Sequence, residues 1–169
     1  MVKSDRMLII MRGWPGCGKS TMARHIARDH SDSVIYATDD YWMKDESYCF
    51  DPELLSVAHA WNQARAREFC SSHNTGWVII DNCNVKIEHM QPYRDTAERE
   101  GYVVVQALPP DVKLVRTLMQ SEDESLQDAI QSMLGFHAGR NVHDVSLDVI
   151  REMISEWEDS DLPMYTNFT

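Results

Sequence analysis

No stretch of this 169-residue chain approaches the roughly 20 consecutive apolar positions that a membrane-spanning helix needs. The opening residues, Met1-Val2-Lys3-Ser4-Asp5-Arg6, lack the charged-then-apolar profile of a secretory leader. Four cysteines, Cys17, Cys49, Cys70 and Cys83, form no C-x-x-C pair, which argues against a zinc site or a disulfide framework. A reducing, cytoplasmic setting with no membrane partner is expected. Basic residues are also scarce: 16 Lys and Arg stand against 27 Asp and Glu, a formal net charge of −11. That balance argues against a general nucleic-acid binder with a basic surface. The deficit is local, however. Between Ser121 and Asp161 eleven acids face only Arg140 and Arg151, so the remainder is nearly neutral and leaves room for a narrow basic cleft. At 43% hydrophobic residues, the chain is expected to form one domain over residues 1–169.

Against this sparse background stands one complete motif. Gly13-Trp14-Pro15-Gly16-Cys17-Gly18-Lys19-Ser20 fits the phosphate-loop pattern G-x-x-x-x-G-K-[ST]. The apolar run Met7–Met11 before it predicts a buried parallel strand, and Thr21–Arg28 after it predicts a helix with Ala23, Ile26, Ala27 and His30 on one face. Glycines let backbone N–H groups approach an anion, and the helix N-terminus adds partial positive charge. Gly13, Trp14, Pro15, Gly16, Cys17, Gly18, Lys19, Ser20 and Thr21 are therefore expected to wrap a nucleoside triphosphate. Lys19 reaches the β- and γ-phosphates, and Ser20 is placed to ligate Mg²⁺. Cys17 lies where a helix N-terminus favours thiolate, though a small residue tolerated in the loop is the simpler explanation.

Further along, strand and helix signals alternate. Strands are predicted at Val34–Ala37, Trp77–Asp81 and Tyr102–Val105. Helices are predicted from Asp51-Pro52 to about Cys70, over Ile87–Glu100, over Asp111–Gln120 and from Ser146 onward. On the last, Leu147, Ile150, Met153, Ile154 and Trp157 share a stripe. Alternating βα units behind a phosphate loop imply an α/β P-loop NTPase fold, a parallel sheet flanked by helices on both faces with a C-terminal helical lid, and ligands at the strands' carboxyl ends.

Several residues there can do chemistry. Strand two ends in Thr38-Asp39-Asp40-Tyr41, and one carboxylate of the pair is expected to accept a proton from an attacking hydroxyl, the other serving the acceptor or capping a helix. Strand three runs into Asp81, a second candidate near the metal, with Asn82 and Asn84 behind it. On the second helix Leu55, His59, Asn62, Ala66 and Phe69 share a stripe, so His59 and Asn62 are either satisfied core polar groups or acceptor ligands. Trp61 is expected in the core ahead of a stacking role. Arg140 is nearly the only base in an acidic third of the chain. Gly135, Gly139 and weak periodicity over 135–145 suit a mobile lid, spanning roughly 121–145, that carries this cation over a migrating phosphoryl group.

Taken together these segments resemble the polynucleotide-kinase-like branch of P-loop kinases. That branch includes phage 5′-hydroxyl polynucleotide kinases and the kinase-like domain of ubiquitin-ligase-binding proteins. The residues that carry the resemblance are Arg12–Thr21, Thr38-Asp39-Asp40-Tyr41, Ala58-His59-Ala60-Trp61-Asn62 and Ile80-Asp81-Asn82-Cys83-Asn84. Pro92-Tyr93, Gly101-Tyr102 and Arg140–Ser146 extend it over nearly the whole chain. The resemblance implies that Asp39 is the general base, that Arg140 is a lid arginine on the ATP phosphates, and that Asp81 supports metal and acceptor. Three places depart from it: Trp42 and Met43 stand where a base is common, Phe136 replaces a second lid base, and Ser121–Leu134 looks like an acidic, helical insertion.

The resulting expectation is a Mg²⁺- and ATP-dependent kinase acting on a nucleic-acid hydroxyl, foremost a 5′-hydroxyl end. Lys19, Asp39 and Arg140 are its catalytic residues, Ser20 and Asp81 its metal residues, and Asp40, His59, Asn62, Asn82 and Asn84 its acceptor side. The rivals are a kinase of a nucleoside, nucleotide, sugar or hydroxylated base in DNA, and a non-catalytic ATP-binding interaction module.

Overall fold

The computed structural model describes residues 5–44, 47–73, 75–121 and 123–166. Met1–Ser4, Glu122 and the side chain of Lys44 lie outside them. A parallel four-stranded sheet forms the centre. Its strands are β1 (Arg6–Met11), β2 (Ser33–Tyr36), β5 (Gly76–Ile80) and β6 (Val103–Ala107), in the order β2-β5-β1-β6. In sequence between β2 and β5, β3 (Met43–Lys44) and β4 (Ser47–Tyr48) pair as a separate two-stranded antiparallel hairpin.

Helices cover both faces, which is the expected α/β P-loop NTPase arrangement. On one face, α1 (Lys19–Arg28) packs Met22, Ala23 and Ile26 against Ile9, Met11 and Ile79. On the other, α2 (Leu55–Ser72) and α3 (Ile87–Glu100) pack Ala66, Cys70, Met90, Tyr93 and Ala97 against Leu8, Ile10, Val78 and Ile80. This explains why β1 and β5 are unbroken apolar runs: consecutive side chains point to opposite faces, and both faces are covered. Each fully buried Leu or Ile there contributes about 1.5–3 kcal/mol.

A third cluster holds the C-terminal half. Here α4 (Pro110–Met119), α5 (Gln127–Arg140) and α6 (Leu147–Ser155) bury Val112, Val115, Ile130, Leu134, Ile150 and Ile154 around Trp14 of the phosphate loop. Ser146 caps α6 by accepting from Val149 N. Among the described residues no helix is long and apolar enough to cross a membrane.

In the stretch expected as a helical lid, α5 runs unbroken through Gly135 and Gly139, where the periodicity is weak, to Arg140. Each interior glycine costs about 0.5–1 kcal/mol relative to Ala, and the packing of Ile130, Leu134 and His137 offsets that cost. Two expectations differ from what is observed, both on α2. The buried stripe there is Ala58, Asn62, Ala66 and Cys70; Leu55 lies exposed. Trp61 falls off that stripe and is 37% exposed, so it is not a core residue.

Candidate active site

The phosphate loop is shaped by glycines and held from behind by a buried arginine. Gly16 and Gly18 stand at φ 77° and 96°, in the left-handed region that favours glycine. A Cβ on Gly16 would also run into the His137 carbonyl of α5. Behind the loop, Arg12 is 1% exposed and donates to the carbonyls of Asn84, Val85 and Glu158 and to Gln106 Oε1. Its guanidinium also stacks on Trp157, 4.3 Å from the ring centroid. Burial lowers its pKa to about 10, which still leaves it charged at neutral pH. A planar fork of donors makes this brace, and lysine could not reproduce it.

Lys19 is buried, and its Nζ donates to the Trp14 carbonyl at 2.9 Å. Burial alone would lower its pKa, but the surrounding Cys83, Cys17 and Asp81 outweigh that, and the net shift is upward. Burial likewise pushes the Cys17 thiol up to about 11, so the helix N-terminus does not make it a thiolate. Ser20 at the head of α1 lies beside the Asp81 carboxylate at the end of β5 and favours its ionised form. Asp81 has a raised pKa, first through burial, and its Oδ1 is buried with no partner among the described residues. A hydroxyl and a carboxylate with one orphaned oxygen fit Mg²⁺, which takes few protein ligands and keeps waters and phosphate oxygens.

The acidic pair is split by geometry. Both residues lie in a 3-10 turn, Thr38–Trp42, at the carboxyl end of β2. Asp40 turns to structure: its Oδ2 takes Arg65 at 2.8 Å and the Ala37 N–H at 3.3 Å. Asp39 is exposed, and it meets Tyr48 and His143. Asn82 accepts from Thr38 N at 2.8 Å, and its Nδ2 reaches Tyr93 OH at 3.4 Å. Asn62 is fully buried and donates to the same Tyr93 oxygen at 3.0 Å. His59 Nδ1 lies 3.3 Å from Thr38 Oγ1, and burial lowers its pKa. Asn84, at φ 47°, bonds the Met11 and Asn82 carbonyls and supports the loop from below. His59, Asn62 and Asn82 therefore form a network behind the 3-10 turn, while Asn84 belongs to the phosphate-loop brace.

Arg140 ends α5, its guanidinium 4.9 Å from the Phe136 ring centroid. One turn earlier, His137 is wholly buried; its Nδ1 accepts from Trp14 Nε1 at 2.9 Å, and its Nε2 meets Asp111 Oδ2 at 3.1 Å. This chain, the Arg12 brace and the contacts of Asp39 with Tyr48 and His143 were not legible in the sequence. Only His143 carried a signal, its place three residues after Arg140. Three further bases, Arg65, Lys86 and Arg94, are ion-paired with Asp40, Glu156 and Asp161.

A parallel sheet, a glycine-shaped loop closed by a buried lysine, and acids at two neighbouring strand ends define a domain of the P-loop kinase-like fold. The model of the AAA_33 family, described as an AAA domain, matches residues 8–131, and the chain belongs to that family. It is 33% identical over 152 residues to NEDD4-binding protein 2 of Homo sapiens, covering 90% of this chain but only 8% of that relative. Among solved structures it resembles a chain of the Pnkp1/Rnl/Hen1 complex, with a TM-score of 0.52, 23% identity, and coverage of 75% of this chain and 43% of that one. It also resembles a gluconokinase from Sinorhizobium meliloti 1021, with a TM-score of 0.53, 15% identity, and coverage of 93% and 78%. At these identities the two structures show the shared fold.

Proposed function

We propose that this domain transfers the γ-phosphoryl group of ATP to a hydroxyl of a nucleic acid, foremost a 5′-hydroxyl end. The observation that carries the reading is the division of labour between Asp39 and Asp40. Asp40 serves the turn and Arg65, while Asp39 meets Tyr48 and His143 at the strand end and lies close enough to act on the Asp81 charge. Asp39 takes the acceptor's proton; the freed oxygen bonds to the γ-phosphorus as its bond to the β–γ bridging oxygen breaks, and ADP leaves. The loop amides and Lys19 hold the β- and γ-phosphates. Arg140, carried by a lid over residues 121–145, faces the charge that develops on the migrating group. Ser20 and Asp81 would hold Mg²⁺, whose charge would offset that of the β- and γ-oxygens.

A base-bearing acceptor is supported by aromatic rings around the acidic pair. Tyr41 and Trp61 meet edge to face at 5.5 Å, Tyr41 touches Trp42 at 5.0 Å, and Phe50 touches Trp42 at 5.2 Å. Trp61 and Phe50 are exposed. Aromatic surface with few free cations suits nucleobases stacked on a platform better than a backbone tracked by phosphate contacts. The Pnkp1 likeness agrees with this reading, and the gluconokinase likeness marks the small-acceptor alternative. Label transfer from γ-labelled ATP to 5′-hydroxyl DNA, 5′-hydroxyl RNA, nucleosides, nucleotides, sugars and base-hydroxylated DNA tests it. Preference for oligonucleotide ends supports the proposal. Equal or better turnover of nucleosides or sugars replaces it with the small-acceptor reading.

A further inference from the structure

Asp39 is gripped by two side chains from segments far apart in sequence. Tyr48, on β4 of the small hairpin, donates its OH to Oδ1 at 3.3 Å. His143, in the turn that follows α5, places Nε2 3.2 Å from Oδ2. The two rings stack on each other, with centroids 4.5 Å apart and planes inclined by 30°. Burial, reinforced by the Asp39 charge, pushes the Tyr48 phenol up to about 12, so it remains a donor.

The turn that presents His143 is itself built. Asn141 Nδ2 donates to the Ala138 and Val145 carbonyls at 2.6 and 2.9 Å. Its Oδ1 accepts from the backbone N–H of His143 at 3.3 Å and of Val145 at 2.8 Å. Asp144 sits at φ 52°, a left-handed conformation that a non-glycine residue keeps only where surrounding contacts hold it. One asparagine thus fixes the shape of residues 141–145 relative to the end of α5, and with it the reach of His143.

We propose that His143 is a positioning residue: with Tyr48 it clamps the Asp39 carboxylate in the orientation that meets the acceptor hydroxyl. Docking of α5 on the phosphate loop and alignment of the base are then one event. The proposal rests on the kinase reading, in which Asp39 is the base. The bonding capacity is sufficient. A carboxylate offers about four lone-pair sites, and one donor on each oxygen leaves sites free for the acceptor's proton. Nε2 faces a carboxylate and therefore carries the hydrogen, an assignment that follows from the bonding partners. The same segment follows the helix that carries Arg140, so the docked end of α5 brings both the cation and the clamp.

The test uses the full chain with His143→Ala, His143→Gln, Asp39→Asn and the double variant Asp39→Asn/His143→Ala. At saturating ATP and acceptor, His143→Ala should lower kcat on the order of 10- to 100-fold, the scale of a misplaced catalytic group. The KM for ATP should stay within about twofold, since ground-state binding is untouched. His143→Gln, which keeps a donor at similar reach, should recover most of the rate. Independently of any acceptor, hydrogen exchange of the amides of residues 141–145 should quicken in His143→Ala and in Asp39→Asn. It should quicken no further in the double variant, because one contact cannot be lost twice. Unchanged kcat in His143→Ala, or additive exchange effects, overturns the clamp. A wild-type protein that transfers no phosphate overturns the kinase reading instead, and the exchange comparison still decides whether the clamp exists.

Discussion

The indole N–H of Trp14 donates to Nδ1 of His137 at 2.9 Å, and that bond joins the phosphate loop to the helix that ends in Arg140. Because Nδ1 accepts, the imidazole hydrogen sits on Nε2, facing Asp111. His137→Leu would leave a buried indole N–H with no acceptor. It is expected to cost about 1–3 kcal/mol in a denaturant titration. An unchanged midpoint would show that the bond contributes nothing to holding α5 on the loop.

Asp81 links stability to function in opposite directions. Burial raises its pKa in the folded protein, so the folded state holds this proton to higher pH than the unfolded chain does. Folding stability therefore falls as pH rises from the ordinary carboxylate pKa through the raised one, so above that range the buried group is a net burden. Asp81→Asn should raise the Tm of the nucleotide-free protein at pH 7, with the gain vanishing below about pH 4, where the carboxyl is protonated in both states. Turnover should fall in the same variant. A lower Tm at pH 7 would contradict the burial argument.

Arg140→Ala should lower kcat more than it raises the KM for ATP, because a lid cation acts where charge develops. Steady-state kinetics with the best acceptor of the panel measures the split. A rise in KM alone would make Arg140 a ground-state phosphate ligand.

The aromatic platform predicts how the acceptor is held. Trp61→Ala should weaken acceptor binding by about 1–3 kcal/mol, the range for one lost base stack. With Arg65, Lys86 and Arg94 already paired to carboxylates, few phosphates are neutralised. One or two contacts give a slope of about −0.7 to −1.4 in log K against log salt for a single strand. A much steeper slope with no effect of Trp61→Ala would assign the affinity to the backbone.

The strand–loop–helix unit at the N-terminus was legible because its signals agree: an apolar run covered on both faces, glycines at the turn, then helical spacing. The bounds of α3, Ile87–Glu100, were also legible, between a polar entry and the left-handed Gly101. The β3–β4 hairpin was not, since two-residue strands carry no period. The course of α5 was obscured by Gly135 and Gly139, whose low helix propensity is overridden by tertiary packing. Within the site, adjacency predicted that Asp39 and Asp40 diverge, but only Arg65 and His143 reveal which way each turns. Arg12 lay inside a recognised segment, yet its carbonyl partners come from two distant places, Asn84-Val85 and Glu158, that no local pattern connects.

The central claim, catalysis with Asp39 as the base, is tested most directly by comparing Asp39→Asn with Asp40→Asn in label transfer from γ-labelled ATP, alongside ATP affinity by calorimetry. Asp39→Asn should bind ATP as the parent does and lose about 10²–10⁴-fold in turnover, the usual contribution of a general base. Asp40→Asn should retain most turnover and lose stability with the Arg65 pair. Full activity in Asp39→Asn, or a greater loss in Asp40→Asn at equal stability, would contradict the account.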